Sequence, residues 1–300
     1  MEKIVYYLTP SSFCFGVERA ITQLNQIVDA HPWDTIFCVH ALVHNPKVTH
    51  AFEDKHVVFV ESPDVIPTSD AIVVFSAHGI NRVVLQEAKQ KFKAVYNLEC
   101  PFVTKIYDQV DAFMARGIET FFYVGKDHHQ ERKNVVDYIE SRWAKVYVFQ
   151  SQEEIPDIDK NTHFAALSQT TMNYAHVKNV LEAIKEKYPN AVLLLLSDVC
   201  KATYERQAIV SQNLEHFDAF IVIWGKESNN SRELYHIGVD HWKKTFYGEN
   251  LADILLYPQE ELFACATVAI TWWASTPAED IAAVFDFYRN NWYEPKILSL

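Results

Sequence analysis

The chain has 300 residues, 49 % of them hydrophobic and 14 % aromatic, with a formal net charge of −12. This composition excludes a disordered chain and allows a large buried core. The acidic balance excludes nonspecific nucleic-acid binding, which needs a basic surface, while 13 histidines still permit a pocket for a small anion.

A single rhythm runs along the chain: a short β-branched or aromatic run, a polar loop, then a helical pattern. Ala71–Phe75 leads through S-A-H-G-I-N to a helix over about Arg82–Lys91. Glu119–Val124 leads through G-K-D-H-H-Q-E to a helix ending near Trp143. Phe164–Leu167 leads through S-Q-T-T-M-N to a helix reaching about Lys187, and Phe217–Trp224 through G-K-E-S-N-N-S to another. Apolar runs alternating with amphipathic helices predict parallel sheets in an α/β protein. Ligands of such sheets bind beyond the carboxyl ends of the strands, where the polar loops fall.

Cys14, Cys100 and Cys200 stand one in each third of the chain, each at a junction between a strand-like and a helix-like run. A thiol at a helix N-terminus meets unpaired N–H groups and the positive end of the dipole, which favour the thiolate. The cysteine rhythm suggests three similar lobes, 1–98, 99–198 and 199–300, that point their sulfurs at a shared centre, with the N-terminal strand joining the sheet of the third. Thiolates from three directions suit a metal or an iron–sulfur cluster better than a disulfide. A zinc site of the Cys₃His kind is the competing reading. Cys38 and Cys265 lie inside apolar runs and read as buried thiols.

An odd number of cysteines in a chain this long indicates a reducing compartment. The opening sequence lacks a signal pattern, and the longest nearly apolar stretch, Leu262 to Ala274, falls short of the roughly 20 residues that span a bilayer. The expectation is a cytoplasmic protein with no membrane and no nucleic-acid partner.

The polar loops supply the remaining candidates. His44 and His78 each follow an apolar run, and His129 and Glu131 share the loop K-D-H-H-Q-E. A carboxyl group beside an imidazole can donate a proton while the ring holds a charge, although either histidine type also serves as a structural residue. Ser228–Ser231 and Ser275-Thr276-Pro277 precede helices, where they act as ordinary caps or as anion ligands. Thr170 and Thr171 either orient a substrate hydroxyl or cap a helix.

The motifs, taken together, resemble those of the 4-hydroxy-3-methylbut-2-enyl diphosphate reductases of the non-mevalonate isoprenoid pathway. They run in order over almost the whole chain: F-C-x-G-V-x-R-A at 13–20, V-H-N at 43–45, F-S-A-H-G at 75–79, C-P-x-V-T-K at 100–105, H-x-E at 129–131, Q-T-T at 169–171, C-x-A-T-x-x-R-Q at 200–207, S-x-N-S at 228–231 and A-S-T-P at 274–277. The resemblance implies a three-lobed α/β fold in a pseudo-threefold arrangement around a [4Fe–4S] cluster held by Cys14, Cys100 and Cys200, with one open iron that binds the allylic hydroxyl of the substrate. It implies Glu131 as proton donor, with Thr170 and His129 beside it as catalytic residues. His44, His78, His129, Thr170, Ser228, Asn230 and Ser275 would bind the substrate and its diphosphate. Isopentenyl and dimethylallyl diphosphate would be the products, and ferredoxin or flavodoxin the electron donor.

The chain departs from the family pattern at several points. Ser11 and Ser12 stand before the first F-C in place of R-G, Asn229 stands where a serine is usual, and R-K-N follows Glu131 where a glycine is favoured. Trp272 and Trp273 replace two small residues next to Ser275. Two indoles there either point into the core or reshape the pocket, the second case giving a diverged enzyme that uses the cluster on another hydroxylated substrate. A quinolinate-synthase-like enzyme fits the cysteine spacing but not V-H-N, S-A-H-G or Q-T-T. A non-catalytic iron–sulfur sensor and a zinc-bound structural protein are the readings outside catalysis.

Overall fold

The computed structural model describes residues 2–10, 13–43, 45–189, 198–223, 229–241, 243–272 and 276–299, with the side chains of residues 229 and 230 left aside. The chain opens with β1 (Ile4–Thr9), α1 (Phe15–Ala30), β2 (Ile36–Val39), α2 (Pro46–Glu53), β3 (Val57–Val60), β4 (Ile72–Phe75), α3 (Arg82–Lys91) and β5 (Ala94–Asn97). There follow α4 (Pro101–Met114), β6 (Thr120–Val124), α5 (Gln130–Ser141), β7 (Lys145–Phe149), β8 (Ala165–Ser168) and α6 (Tyr174–Lys187). The last third holds α7 (Lys201–Asn213), β9 (Ala219–Ile223), α8 (Asn229–Asp240), β10 (Lys244–Gly248), α9 (Leu251–Ile254), α10 (Gln259–Leu262), β11 (Thr267–Trp272), α11 (Ala278–Asn290) and β12 (Glu294–Ser299).

The elements fall into two compact units. One comprises residues 15–43 and 47–200 and contains two parallel sheets, ordered β3-β2-β4-β5 and β7-β6-β8. The central strands β2 (I-F-C-V) and β4 (I-V-V-F) of one sheet and the edge strand β8 (A-A-L-S) of the other are buried at every position. Such continuous runs arise because crossover helices cover both faces of a parallel sheet. Helix α4 presents Val103, Ile106, Tyr107, Val110 and Phe113 to the core, a stripe at helical spacing.

The other unit comprises residues 1–14, 44–46 and 201–300. Its sheet is ordered β10-β9-β11-β1-β12, with every pair parallel, and β1 lies between β11 and β12. Trp272, at the end of β11, is 1 % exposed and packs in the core with Val5, Ile223, Ile270 and Ile281. Its ring centroid is 4.6 Å from that of Tyr7. The first of the two indoles is therefore a core residue, while Trp273 lies outside the described residues.

The α/β class and parallel sheets expected from the sequence are what the chain adopts, and α3 spans Arg82–Lys91 as predicted. Two boundaries differ, the first being α8, which begins at Asn229 inside the loop expected over G-K-E-S-N-N-S. The loop expected over G-K-D-H-H-Q-E ends two residues early, because His129 caps α5 and puts Glu131 on its first turn. No described helix is long and apolar enough to cross a membrane.

Candidate active site around Glu131

Three loops of the residue 15–200 unit follow the carboxyl ends of strands. S-A-H-G follows β4, G-K-D-H-H follows β6 and Q-T-T follows β8. Their tips are held by backbone bonds between adjacent strands. Gln169 donates its N–H to the Val124 carbonyl at 2.9 Å, and its side-chain oxygen accepts the Lys126 N–H at 3.1 Å.

Glu131 is the most buried charged candidate, 2 % exposed. One carboxyl oxygen accepts the Thr170 N–H at 2.7 Å and the other accepts the Thr170 hydroxyl at 2.6 Å. Burial pushes its pKa up to about 7, and the two Thr170 bonds restrain the rise while the charges of Asp198 and Glu99 add to it. Desolvation wins because the carboxylate, once formed, has no water to solvate it. The result is an acid that holds its proton near neutral pH and can still release it.

His129 is buried, and its Nδ1 accepts the Glu131 N–H at 3.3 Å. In a neutral ring this leaves Nε2 as the N–H donor. His78 sits half-buried on the S-A-H-G turn. The sequence candidates His78, His129, Glu131 and Thr170 thus belong to one unit, and Glu131 joins Thr170 directly. His44, Ser228 and Ser275 lie outside the described residues, as does the side chain of Asn230.

Two of the three junction cysteines are tied to these loops. Cys100 is the N-cap residue of α4, followed by Pro101 at the first helical position, and its N–H donates to Ala77 at 3.1 Å. Cys200 directly precedes α7, and its N–H donates to the Thr170 carbonyl at 2.9 Å. Cys14 directly precedes α1 and belongs to the other unit. None of the five cysteines forms a disulfide. Cys38 and Cys265 differ in kind: burial pushes the Cys38 thiol up to about 12 and raises that of Cys265. Thiols held neutral are poor metal ligands, whereas Cys14, Cys100 and Cys200 are half-buried and stand at helix starts. Among the described residues no three His, Cys, Asp or Glu side chains converge as a metal-holding group.

Several buried polar residues escaped the sequence reading. Asp198 accepts the Ser168 N–H at 3.1 Å, and burial raises its pKa to about 6. Glu99 accepts the Ile80 N–H at 3.3 Å and the Thr104 hydroxyl at 2.7 Å. The hydroxyls of Tyr107 and Tyr123 are buried without a hydrogen-bond partner among the described residues, and both feel the charge of Glu131. For Glu99 and Asp198 the one signal in the sequence is proximity: Glu99 directly precedes Cys100, and Asp198 stands two residues before Cys200.

Parallel strands that end in a buried acid, a capping histidine and helix-start cysteines define an α/β enzyme. A curated relative from Actinobacillus succinogenes, a 4-hydroxy-3-methylbut-2-enyl diphosphate reductase, is 34 % identical over 227 residues, 75 % of this chain and 71 % of its own length. The reductase of the same name from Shewanella pealeana is 30 % identical over 279 residues, 92 % of this chain and 88 % of its own. The family described as LytB protein matches residues 5–289, and the chain belongs to that family. The fold agrees: the solved E-1-hydroxy-2-methyl-but-2-enyl-4-diphosphate reductase from Plasmodium falciparum superposes with a TM-score of 0.90, covering 99 % of this chain and 92 % of its own, at 23 % identity.

Proposed function

We propose that the chain reductively dehydroxylates 4-hydroxy-3-methylbut-2-enyl diphosphate to isopentenyl and dimethylallyl diphosphate. The observation that carries this reading is the Glu131 carboxyl, buried, gripped twice by Thr170 and titrating near 7. In the overall step the allylic C–O bond breaks, two electrons and two protons enter, and water leaves. Such a step needs a group that holds a proton at neutral pH next to the departing hydroxyl.

Glu131 gives that proton to the leaving oxygen. The resulting carboxylate keeps both Thr170 bonds, which favour the charged form until a new proton arrives. Thr170 fixes the carboxyl orientation and faces the hydroxyl. His129, with its Nε2–H, binds diphosphate oxygens together with His78, and His44, Ser228, Asn230 and Ser275 complete the proposed anion site. Cys14, Cys100 and Cys200 would hold a [4Fe–4S] cluster, which supplies electrons and an open iron that acts as a Lewis acid. Ferredoxin or flavodoxin would reduce it, in the cytoplasm, where thiols stay reduced. The three lobes are bounded near residues 98 and 198.

The names of the curated relatives support the substrate. Anaerobic turnover of the diphosphate with a chemical reductant tests the reading. Consumption with release of both products is expected, and no consumption by fully loaded protein overturns it.

A further inference from the structure

The turn after β4 is held from two sides. Gly79 adopts φ +85°, and a Cβ added to it would lie 2.8 Å from Glu99 Oε1 and 2.9 Å from Val103 Cγ1. Only glycine fits this close approach to α4. On that side Glu99 accepts the Ile80 N–H, and the Cys100 N–H reaches Ala77. On the other side Asn134 Nδ2 donates to the Gly79 carbonyl at 2.7 Å, while its Oδ1 accepts from Gln130 Nε2 at 3.0 Å. Both Gly79 and Asn134 are buried.

We propose that Asn134 is a positioning residue for diphosphate binding, its side-chain amide locking the His78 turn to the helix that carries Glu131. The inference rests on the reading that His78 and Glu131 serve one substrate. Asn134 follows Glu131 by three residues on α5, so the two side chains share a helix face. Next to the bond lies a cavity of about 290 Å³, with Ile80 and Asn81 on one wall and Gln130, Lys133, Asn134 and Asp137 on the other. Without the amide, the buried Gly79 carbonyl loses its donor and the turn has this cavity to move into. Helix α3 stays attached, because Arg82 pairs with Asp111 at 2.7 Å and with Asp108 in α4. The loss therefore falls on the turn and spares the joining of the elements.

In anaerobically prepared holoenzyme, Asn134→Ala is expected to raise the KM for the diphosphate about tenfold, with kcat changed by less than about twofold. Binding of inorganic diphosphate, followed by calorimetry, weakens by a similar factor. Hydrogen exchange of residues 76–80 quickens in Asn134→Ala, and Asn134→Ser, which keeps a donor, recovers part of all three effects. Unchanged KM and diphosphate affinity overturn the proposal, as does a fall in kcat alone. Should Asn134→Ala fail to fold, Asn134→Asp keeps the volume while facing the Gly79 carbonyl with an acceptor oxygen; it must show the same KM split, or the proposal falls. If the wild-type holoenzyme does not consume the substrate, the functional reading fails, and the positioning role is decided by inorganic diphosphate binding and hydrogen exchange.

Discussion

Thr170 meets Glu131 with two donors, its N–H at 2.7 Å from one carboxyl oxygen and its hydroxyl at 2.6 Å from the other. Both bonds favour the carboxylate, while complete burial favours the acid, and the balance lies near pH 7. The backbone bond survives any substitution at residue 170 other than proline, so hydroxyl and N–H can be separated by mutation. The same residue passes its carbonyl to the Cys200 N–H, which links the acid to a cysteine junction through one threonine.

Glu131→Gln keeps the shape of the group and removes its proton. Turnover is expected to fall about 10²–10⁴-fold, the usual contribution of general acid catalysis, with iron content unchanged. Thr170→Val removes only the hydroxyl bond to the carboxylate, so the alkaline limb of the turnover profile moves to higher pH. Steady-state rates between pH 6 and 9 measure both. Wild-type rates in Glu131→Gln would remove Glu131 from the role of acid.

Burial of Glu131 also sets a pH dependence of stability. Its folded pKa, about 7, lies above the unfolded value of 4.5, so the folded chain keeps a proton that the unfolded chain releases. Stability from this group is complete below about pH 4.5 and is lost as pH rises through 7, a change of about 3 kcal/mol. Asp198, raised from 3.8 to about 6, acts in the same direction at lower pH. The Tm is expected to fall between pH 5 and pH 8, and Glu131→Gln to flatten that fall. Parallel wild-type and mutant melting curves would contradict the burial of the charge.

The strand-end loops were legible in the sequence because each follows an apolar run and opens a helix, as S-A-H-G and Q-T-T do. The partners that organise them were not, because they act across the chain. Glu99 reaches Ile80 over 19 residues, Asp198 reaches Ser168 over 30 and Asn134 reaches Gly79 over 55. No local pattern marks a residue whose role is set by a partner in another element. Glu131 shows the same limit at short range: its loop looked polar throughout, and only the capping bond from His129 starts the helix there.

Trp272 shows where the sequence left two alternatives, core or reshaped pocket, and burial decides for the core. It packs on Tyr7 and among the β-sheet side chains of its unit, 1 % exposed. Trp272→Ala is expected to cost about 3–5 kcal/mol in chemical denaturation, the range for a deleted core aromatic. Trp272→Phe, which keeps most of the ring, leaves the substrate KM unchanged. A large KM shift in the phenylalanine variant would return Trp272 to the site.

Trp143 carries a cost of another kind. It follows α5 at φ +63°, a left-handed position that favours glycine, and its side chain is 97 % exposed. The conformation costs an L-residue about 1–2 kcal/mol, and added freedom of glycine in the unfolded chain offsets part of the gain. Trp143→Gly is therefore expected to stabilise by about 0.5–1 kcal/mol. An unchanged or lower denaturation midpoint would show that the exposed indole contributes a compensating contact.

The cysteines divide by setting, and so should the effects of removing them. Cys14, Cys100 and Cys200 stand at helix starts, whereas Cys38 is buried inside β2 with its thiol pushed up to about 12. A neutral thiol in a dry strand neither ligates iron nor exchanges readily with solvent. Changing any one of the three helix-start cysteines to alanine is expected to abolish absorbance in the region of roughly 400 nm and bound iron in anaerobic preparations. Cys38→Ala and Cys265→Ala should keep both, with Cys38→Ala losing stability through its cavity and the lost thiol bond to the His40 carbonyl. Iron and sulfide analysis beside the spectra distinguishes the metals: a colourless wild-type protein with one zinc per chain would replace the cluster by a zinc site, whatever the turnover assays give.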